Sequence, residues 1–184
     1  MIETQRLFFG IPLPEHVKEE ISRVQMKLRR QLSDQQVKWV RPRTSHVTIH
    51  FLGDVEIHRI QPLIERVKQE QFSDPFELQL TDIDAFPSMR KPKVLILRTT
   101  MHAPLHALRE ELADVIHSCG FDVDERKFQP HITLGRVQSL VGALEVGEVN
   151  IKPVTFAVDQ VNLYQSTLTP TGSIYTPIHT IHLT

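Results

Sequence analysis

The chain has 184 residues, with 21 basic and 22 acidic side chains, ten histidines and one cysteine. A protein that coats long nucleic acid needs a strong basic excess, because its affinity comes from neutralising many phosphates, so the balanced charge excludes that class. The lone Cys119 excludes an internal disulfide framework and favours a reducing compartment. The sequence shows no signal peptide and no apolar run near the roughly 20 residues of a membrane span. We therefore predict a cytoplasmic protein with no membrane partner.

The first half of the chain alternates between strand and helix patterns. Apolar or alternating runs predict four strands, at residues 6–11, 37–40, 46–52 and 76–80. A second helix is expected to turn Ile64 and Val67 inward, and Pro62 is expected to begin it. Spacings of four, three, four and four predict the first helix, on the apolar positions Val17, Ile21, Val24, Leu28 and Leu32.

The second half repeats this order. Residues 94–97 predict a strand, Pro104 opens a helix that Gly120 ends, and residues 131–136 predict the next strand. Two long strands, residues 154–166 and 174–183, close the chain across a turn.

The spacing of the two halves predicts an internal repeat. Phe8, at the centre of the first strand, precedes His46 by 38 residues, and Leu95 precedes His131 by 36 residues. We therefore predict one bilobal domain over residues 1–184, with units at about 6–85 and 93–184 and with C-terminal strands that cross between the lobes.

Each predicted unit contains a strand that begins His-x-Thr. Residues two apart in a strand point to the same side, so His46 projects with Thr48, and His131 with Thr133. Each pair offers an imidazole that exchanges a proton near neutral pH and a hydroxyl that bonds phosphate. If the two units face each other, one imidazole can activate water while the other protonates a leaving oxygen.

A structural role is the alternative for these motifs, since a single His-x-Thr on an apolar strand is common. Two copies, 85 residues apart and in the same strand–helix–strand context, favour a catalytic pair.

With these motifs the chain resembles the 2H phosphoesterases, and more closely the bacterial RNA 2′,3′-cyclic phosphodiesterases, also called 2′-5′ RNA ligases. The resemblance runs from residue 6 to the C-terminal strands, where residues 163–166 and 172–175 also fit. The chain departs from the family pattern at two positions, with Ile49 where leucine is usual and Gly135 where alanine is common. The segments that carry it are Arg6-Leu7-Phe8-Phe9, His46-Val47-Thr48-Ile49-His50-Phe51-Leu52-Gly53 and Pro130-His131-Ile132-Thr133-Leu134-Gly135-Arg136.

The resemblance implies an α+β fold, with two antiparallel sheets flanked by helices around a central cleft and related by a pseudo-two-fold axis. It implies a metal-independent enzyme that opens a terminal 2′,3′-cyclic phosphate to a 2′-phosphate, with weak reversible ligation. His46 would be the general acid to O3′ and His131 would activate water, although the residues alone leave this division open. Thr48 and Thr133 would bond the non-bridging oxygens.

Two further residues follow from the motifs. By resemblance Arg136 contacts the phosphate, but strict alternation puts it on the wrong face unless a bulge near Gly135 intervenes. The alternative is a surface arginine in a salt bridge. Phe51 holds the equivalent place in the first motif and is either a platform for a base or a core residue.

Several alternatives remain open at this point. His50 is expected on the face of Thr48, and His102 with His106 is expected on a solvated helix face, not at a metal site. The substrate could instead be a small cyclic nucleotide or ADP-ribose cyclic phosphate, and a non-catalytic module that binds RNA ends is the alternative from another class. We predict no metal, no cofactor and no obligate protein partner, and a monomer that acts on RNA 3′ ends.

Overall fold

A computed structural model describes residues 3–32, 37–124, 126–138, 149–170 and 172–184. Its helices are α1 (Glu15–Arg29), α2 (Ile57–Lys68) and α3 (Ala103–Ser118). Its strands are β1 (Thr4–Pro12), β2 (Val37–Trp39), β3 (His46–Glu56), β4 (Phe76–Phe86), β5 (Val94–Thr99), β6 (His131–Val137), β7 (Thr155–Val158), β8 (Gln160–Thr169) and β9 (Gly172–His182).

All strands of the described ranges belong to one antiparallel sheet with the order β7-β4-β5-β6-β3-β1-β8-β9, and β2 pairs with the free stretch of β6. The two predicted sheets are the two halves of this sheet. They meet at a single residue pair, Val47 of β3 with Ile132 of β6. The α+β class and the antiparallel arrangement are confirmed.

The strand order is symmetric about that pair. Outward on one side come β6, β5, β4 and β7, and outward on the other come β3, β1, β8 and β9. Each half of the sheet therefore holds strands from both predicted sequence units: β4 of the first unit joins β5 and β6, while β8 and β9 of the second unit join β1 and β3.

The helices cover the sheet face that buries Val47 and Ile132, and the apolar side of each helix belongs to the same core. Helix α1 lies on the half with β6, where Gln25 bonds the carbonyl of Leu134. Helices α2 and α3 lie on the half with β3. Because the helices occupy one face, the opposite face carries the histidines of both motifs; we call it the histidine face.

Most predicted elements are present, with two corrections. Pro62 lies inside α2, which begins five residues earlier at Ile57. Its missing N–H removes one helical hydrogen bond, and the burial of Ile60 and Leu63 keeps the helix intact.

The predicted strand at residues 154–166 is two strands. The strand is interrupted at Asp159. As a result β7 pairs with β4, while β8 pairs with β1 in the other half of the sheet. Among the described residues no helix has the length and apolar character to cross a membrane.

Candidate active site

The pair Val47–Ile132 brings the two His-x-Thr motifs together. Both residues are fully buried, so their neighbours in sequence point to the histidine face. Because β3 and β6 run antiparallel, each histidine lies on the side of the other motif's threonine. The four side chains gathered in this way are His46, Thr48, His131 and Thr133.

The two imidazoles are held by the same contact. His46 Nδ1 lies 3.0 Å from the carbonyl oxygen of Thr44, and His131 Nδ1 lies 2.7 Å from that of Gln129. A carbonyl only accepts, so Nδ1 carries the hydrogen in both rings and donates it. Each neutral ring therefore keeps the lone pair of Nε2 free to take a proton.

Both histidines are weaker bases than a histidine in water. Burial lowers the pKa of His46 from 6.5 to about 4; the hydrogen bond to Thr44 opposes this, and the charge of His131 adds to it. Burial also lowers the pKa of His131, and the guanidinium of Arg98 lowers it further. In the free protein at neutral pH, both rings are predominantly in the form that accepts a proton.

A bulge in β6 turns Arg136 to the histidine face. Thr133 and Gly135 pair with consecutive residues of β5, so Leu134 is an extra residue without a partner there. One extra residue reverses the alternation, and Arg136, five positions after His131, returns to the side of that histidine. The arginine is exposed at that point.

The first motif has the same irregularity at the same position. Thr48 and His50 pair with consecutive residues of β1, so Ile49 is the extra residue. Phe51 thereby turns to the histidine face, where it is 42% exposed. The interpretation of Phe51 as a core residue is therefore wrong.

The same bulge corrects the expectation for His50, which does not share a face with Thr48. It pairs with Phe9 on the core side of the sheet and is 2% exposed. Its Nε2 lies 2.8 Å from the carbonyl oxygen of Arg109 on α3. His50 fixes α3 to β3 and does not reach the site.

The bulge in β6 is held from two sides. The carbonyl of Leu134 accepts hydrogen bonds from Nε2 of Gln25 (2.9 Å) and from the backbone N–H of Val40 (3.0 Å). Beside it, Gly135 has no room for a side chain, since a Cβ there would lie 2.5 Å from Cγ1 of Val37. Glycine thus lets β2 close onto the bulge.

Aromatic rings surround His46. Phe8 lies 4.6 Å from it between ring centroids, Tyr175 meets it edge-on at 4.9 Å, and Tyr164 lies at 6.0 Å. Gly10 makes the first contact possible, because a Cβ at that position would lie 3.2 Å from Phe8 and 3.4 Å from His46. The rings exclude water from one side of the imidazole, consistent with its lowered pKa.

The surroundings of His131 are more polar. Phe86 meets the ring edge-on at 4.8 Å. Arg98 lies opposite His131 in the β5–β6 ladder. Its Nε donates to Asp84 at 2.9 Å and its Nη1 donates to Oε1 of Gln129, also at 2.9 Å. The residue whose carbonyl orients His131 is thus itself oriented by Arg98.

In the part of the chain that the structure describes, His102 and His106 do not form a comparable site. The expectation of a solvated helix face is correct for the exposed His106 and wrong for His102, which precedes α3, is half-buried and places its Nε2 2.6 Å from the carbonyl oxygen of Glu77. Within the described ranges, no group of three or more histidine, cysteine, aspartate or glutamate side chains has the geometry to hold a metal ion.

The sequence alone missed several neighbours of the histidines. Phe8 and Tyr164 stand in segments that carry the family resemblance, which was the one available signal, but no role followed from it. Arg98 and Asp84 carry no motif. Their position depends on strand pairing, which the sequence does not reveal.

Curated relatives match nearly the whole chain. An RNA 2′,3′-cyclic phosphodiesterase of Thermotoga maritima is 33% identical over 173 residues, covering 92% of this chain and 91% of the relative. A protein of the same name from Bacillus subtilis is 32% identical, covering 86% of this chain and 89% of the relative.

Solved structures agree with the fold. The crystal structure of TT0787 of Thermus thermophilus matches with a TM-score of 0.82 and 26% identity, covering 97% of both chains. The structure of Escherichia coli LigT complexed with 3′-AMP matches with a TM-score of 0.77 and 26% identity, covering 99% of both chains.

The model of one protein family matches residues 11–96 and 99–175, and thus most of the chain. Each matched segment contains one His-x-Thr strand. The chain belongs to the family of LigT like phosphoesterases.

Proposed function

We propose that this protein is an RNA 2′,3′-cyclic phosphodiesterase, which hydrolyses a terminal 2′,3′-cyclic phosphate to a 2′-phosphomonoester. One observation supports this most directly: two imidazoles, each oriented through Nδ1, share one sheet face with a hydroxyl from the other motif beside each. The relatives from Thermotoga maritima and Bacillus subtilis bear the same name.

The proposed reaction needs two proton transfers and no cofactor. One imidazole takes a proton from water through Nε2 as the water oxygen attacks phosphorus. The bond from phosphorus to O3′ breaks, and the other imidazole, protonated beforehand, gives its proton to O3′. By resemblance His46 is this acid and His131 the base. The products are a free 3′-hydroxyl and a 2′-phosphate, and the two rings have exchanged protonation states, which solvent restores.

The remaining side chains of the face bind the substrate. Thr48 and Thr133 donate hydrogen bonds to the non-bridging oxygens, where negative charge grows in the transition state. Arg136 adds a charge-assisted contact to the same phosphate. Phe51 offers an exposed ring on which a base can stack.

The test is incubation with an RNA that ends in a 2′,3′-cyclic phosphate, followed by mapping of the product phosphate. A 2′-phosphate is expected, at an undiminished rate in excess EDTA. A 3′-phosphate would contradict the proposed leaving group, and loss of activity in EDTA that a divalent ion restores would contradict the metal-free mechanism.

The same assay separates the alternatives. Hydrolysis confined to small cyclic nucleotides or ADP-ribose cyclic phosphate would identify a different substrate class. Binding of the RNA end without turnover would identify a binding module. A 2′-5′ linked product formed from 2′,3′-cyclic and 5′-hydroxyl ends would show the reverse ligation.

We also propose that the protein acts as a cytoplasmic monomer without an obligate partner, and that its chain is a duplicated unit. The two segments matched by the family model and the symmetric strand order support the duplication. Sedimentation of the purified protein and cell fractionation test the first two points.

A further inference from the structure

Lys38 and Arg136 stand directly opposite each other in the ladder between β2 and β6. Opposed residues of an antiparallel pair point to the same face, with Cβ atoms about 4.5–5.5 Å apart. Both side chains are exposed. Since the bulge turns Arg136 to the histidine face, Lys38 is on that face too, on the strand that pairs with the edge of β6 opposite β5.

Among the described residues, the two charges have no carboxylate partner. Like charges placed directly opposite destabilise a strand pair. Arg98, a basic residue on β5, is by contrast paired with Asp84. Within the described ranges neither Lys38 nor Arg136 forms an ion pair with a carboxylate. An anion that binds here from outside the protein would offset this repulsion.

The pair is held rigidly. Gln25 donates hydrogen bonds to the carbonyls of Val40 and Leu134, at 2.7 and 2.9 Å, and so connects the end of β2 to the bulge of β6. The backbones that carry Lys38 and Arg136 are therefore fixed before any ligand binds. Overall charge does not explain the arrangement, since the chain is nearly neutral.

The number and placement of the two cations indicate which part of a substrate they would contact. A terminal cyclic phosphate is a diester with one negative charge, which Arg136 alone can match. A second cation, on the strand beside Arg136 and on the same face, matches a second phosphate. In an RNA chain that group is the phosphodiester that joins the terminal nucleotide to the one before it.

We propose that Lys38 forms a subsite for this preceding phosphodiester, so that the preferred substrate is the end of an oligoribonucleotide and not a free cyclic nucleotide. The proposal rests on the proposed function and specifies its substrate class. The RNA strand then runs from the histidines across β2. Among the described strands, β2 pairs only with β6.

The experiment measures kcat/KM for three substrates of the wild type and of Lys38→Gln. They are a nucleoside 2′,3′-cyclic phosphate, a dinucleotide ending in that group, and the same dinucleotide with an uncharged methylphosphonate linkage. The wild type is expected to prefer the charged over the uncharged dinucleotide by about 5- to 10-fold, roughly the effect of one phosphate contact of about 1 kcal/mol. Lys38→Gln should reduce this ratio to near 1.

A matched control is Lys68→Gln, which removes the same charge from the exposed end of α2. It should keep the wild-type ratio. Raising the salt concentration should erode the wild-type ratio, because each phosphate contact to single-stranded nucleic acid contributes about 0.7 to the slope of log affinity against log salt.

Equal ratios in the wild type and Lys38→Gln would overturn the subsite, as would a wild-type ratio near 1. These outcomes leave the proposed function standing as long as the wild type hydrolyses a cyclic phosphate. If the wild type hydrolyses none of the three substrates, the proposed function falls and the subsite falls with it.

Discussion

Arg98 lies directly opposite His131 in the ladder between β5 and β6, so a permanent positive charge stands beside the imidazole that we propose as one of the two proton-transferring groups. Burial and this charge lower the pKa of His131, and burial lowers that of His46 to about 4. The free enzyme therefore holds little imidazolium at neutral pH, although the proposed mechanism needs one.

The pH dependence of kcat/KM follows from these shifts, because that parameter reports the ionisations of the free enzyme. Both pKa values lie below 6.5, so the maximum is expected below pH 6.5. Above it the rate should fall about tenfold per pH unit as the required imidazolium disappears. Arg98→Gln should raise the pKa of His131 and move the upper limb to higher pH, which NMR titration of that ring would check. A maximum above pH 7.5 in the wild type would contradict the prediction.

His46→Ala and His131→Ala should each lower turnover by at least about 10², with the fold retained. The double variant should be little worse than the poorer single variant, because acid and base act as one unit. His58→Ala is the control, since that histidine is exposed on α2 and 75% of its side chain is accessible. Near-normal turnover in either folded single variant would rule out the two-histidine mechanism.

Arg136→Ala should lower kcat/KM about 10- to 150-fold, equivalent to roughly 1.5–3 kcal/mol for a charge-assisted bond to the developing oxyanion. Arg136→Lys should recover only part, because a point charge lacks the fork geometry of guanidinium. Arg66→Ala on α2, which removes an arginine paired with Glu70, controls for net charge. Wild-type kinetics in Arg136→Ala would show that the arginine does not contact the phosphate.

Phe51→Ala should weaken substrate binding by about 1–3 kcal/mol, since a base would lose its stacking surface. The loss should shrink for ribose 2′,3′-cyclic phosphate, which has no base. Met26→Ala, which truncates an exposed apolar side chain on α1, should leave KM unchanged. If the base-free and base-containing substrates suffer equally, the base binds elsewhere.

Gly135→Ala should destabilise the fold by roughly 1–3 kcal/mol, because the added Cβ overlaps Cγ1 of Val37. Val37→Ala removes that atom, so the double variant should lose less than the sum of the single variants. Urea unfolding measures all three. Strict additivity would show that the two residues are not in contact, and activity of Gly135→Ala would report how far the bulge positions Arg136.

Residue patterns predicted the elements that bury apolar faces. Helix α1 follows from the spacing of Val17, Ile21 and Val24, and the strands β3 and β6 follow from alternation after each motif histidine. These patterns are reliable because burying one face of an element requires apolar residues at a regular spacing within that element. The pairing of the two motifs was also anticipated, from their repeated context.

The bulges could not be placed from the pattern. Alternation assumes that every residue has a partner on the neighbouring strand, so the extra residue Ile49 reverses the assignments that follow it and turns His50 to the core. A second irregularity, at Leu52, restores the original alternation from Gly53 onward. The family arginine at position 136 was the one sign of a bulge, because its proposed role conflicted with its parity. The subsite proposed at Lys38 has no signature in the sequence, because it depends on which strand pairs with β2.

The exchange of strands between the two halves of the sheet affects how the protein unfolds. A fragment ending before β5 would contain β4 without its partners β5 and β7, and the remaining fragment would contain β8 without β1. Neither fragment can form a complete half of the sheet by itself. Unfolding of one sequence unit therefore removes strands from both halves of the sheet. The molecule should melt in one cooperative transition, and cutting the backbone between β4 and β5 should yield two pieces that gain order only when mixed.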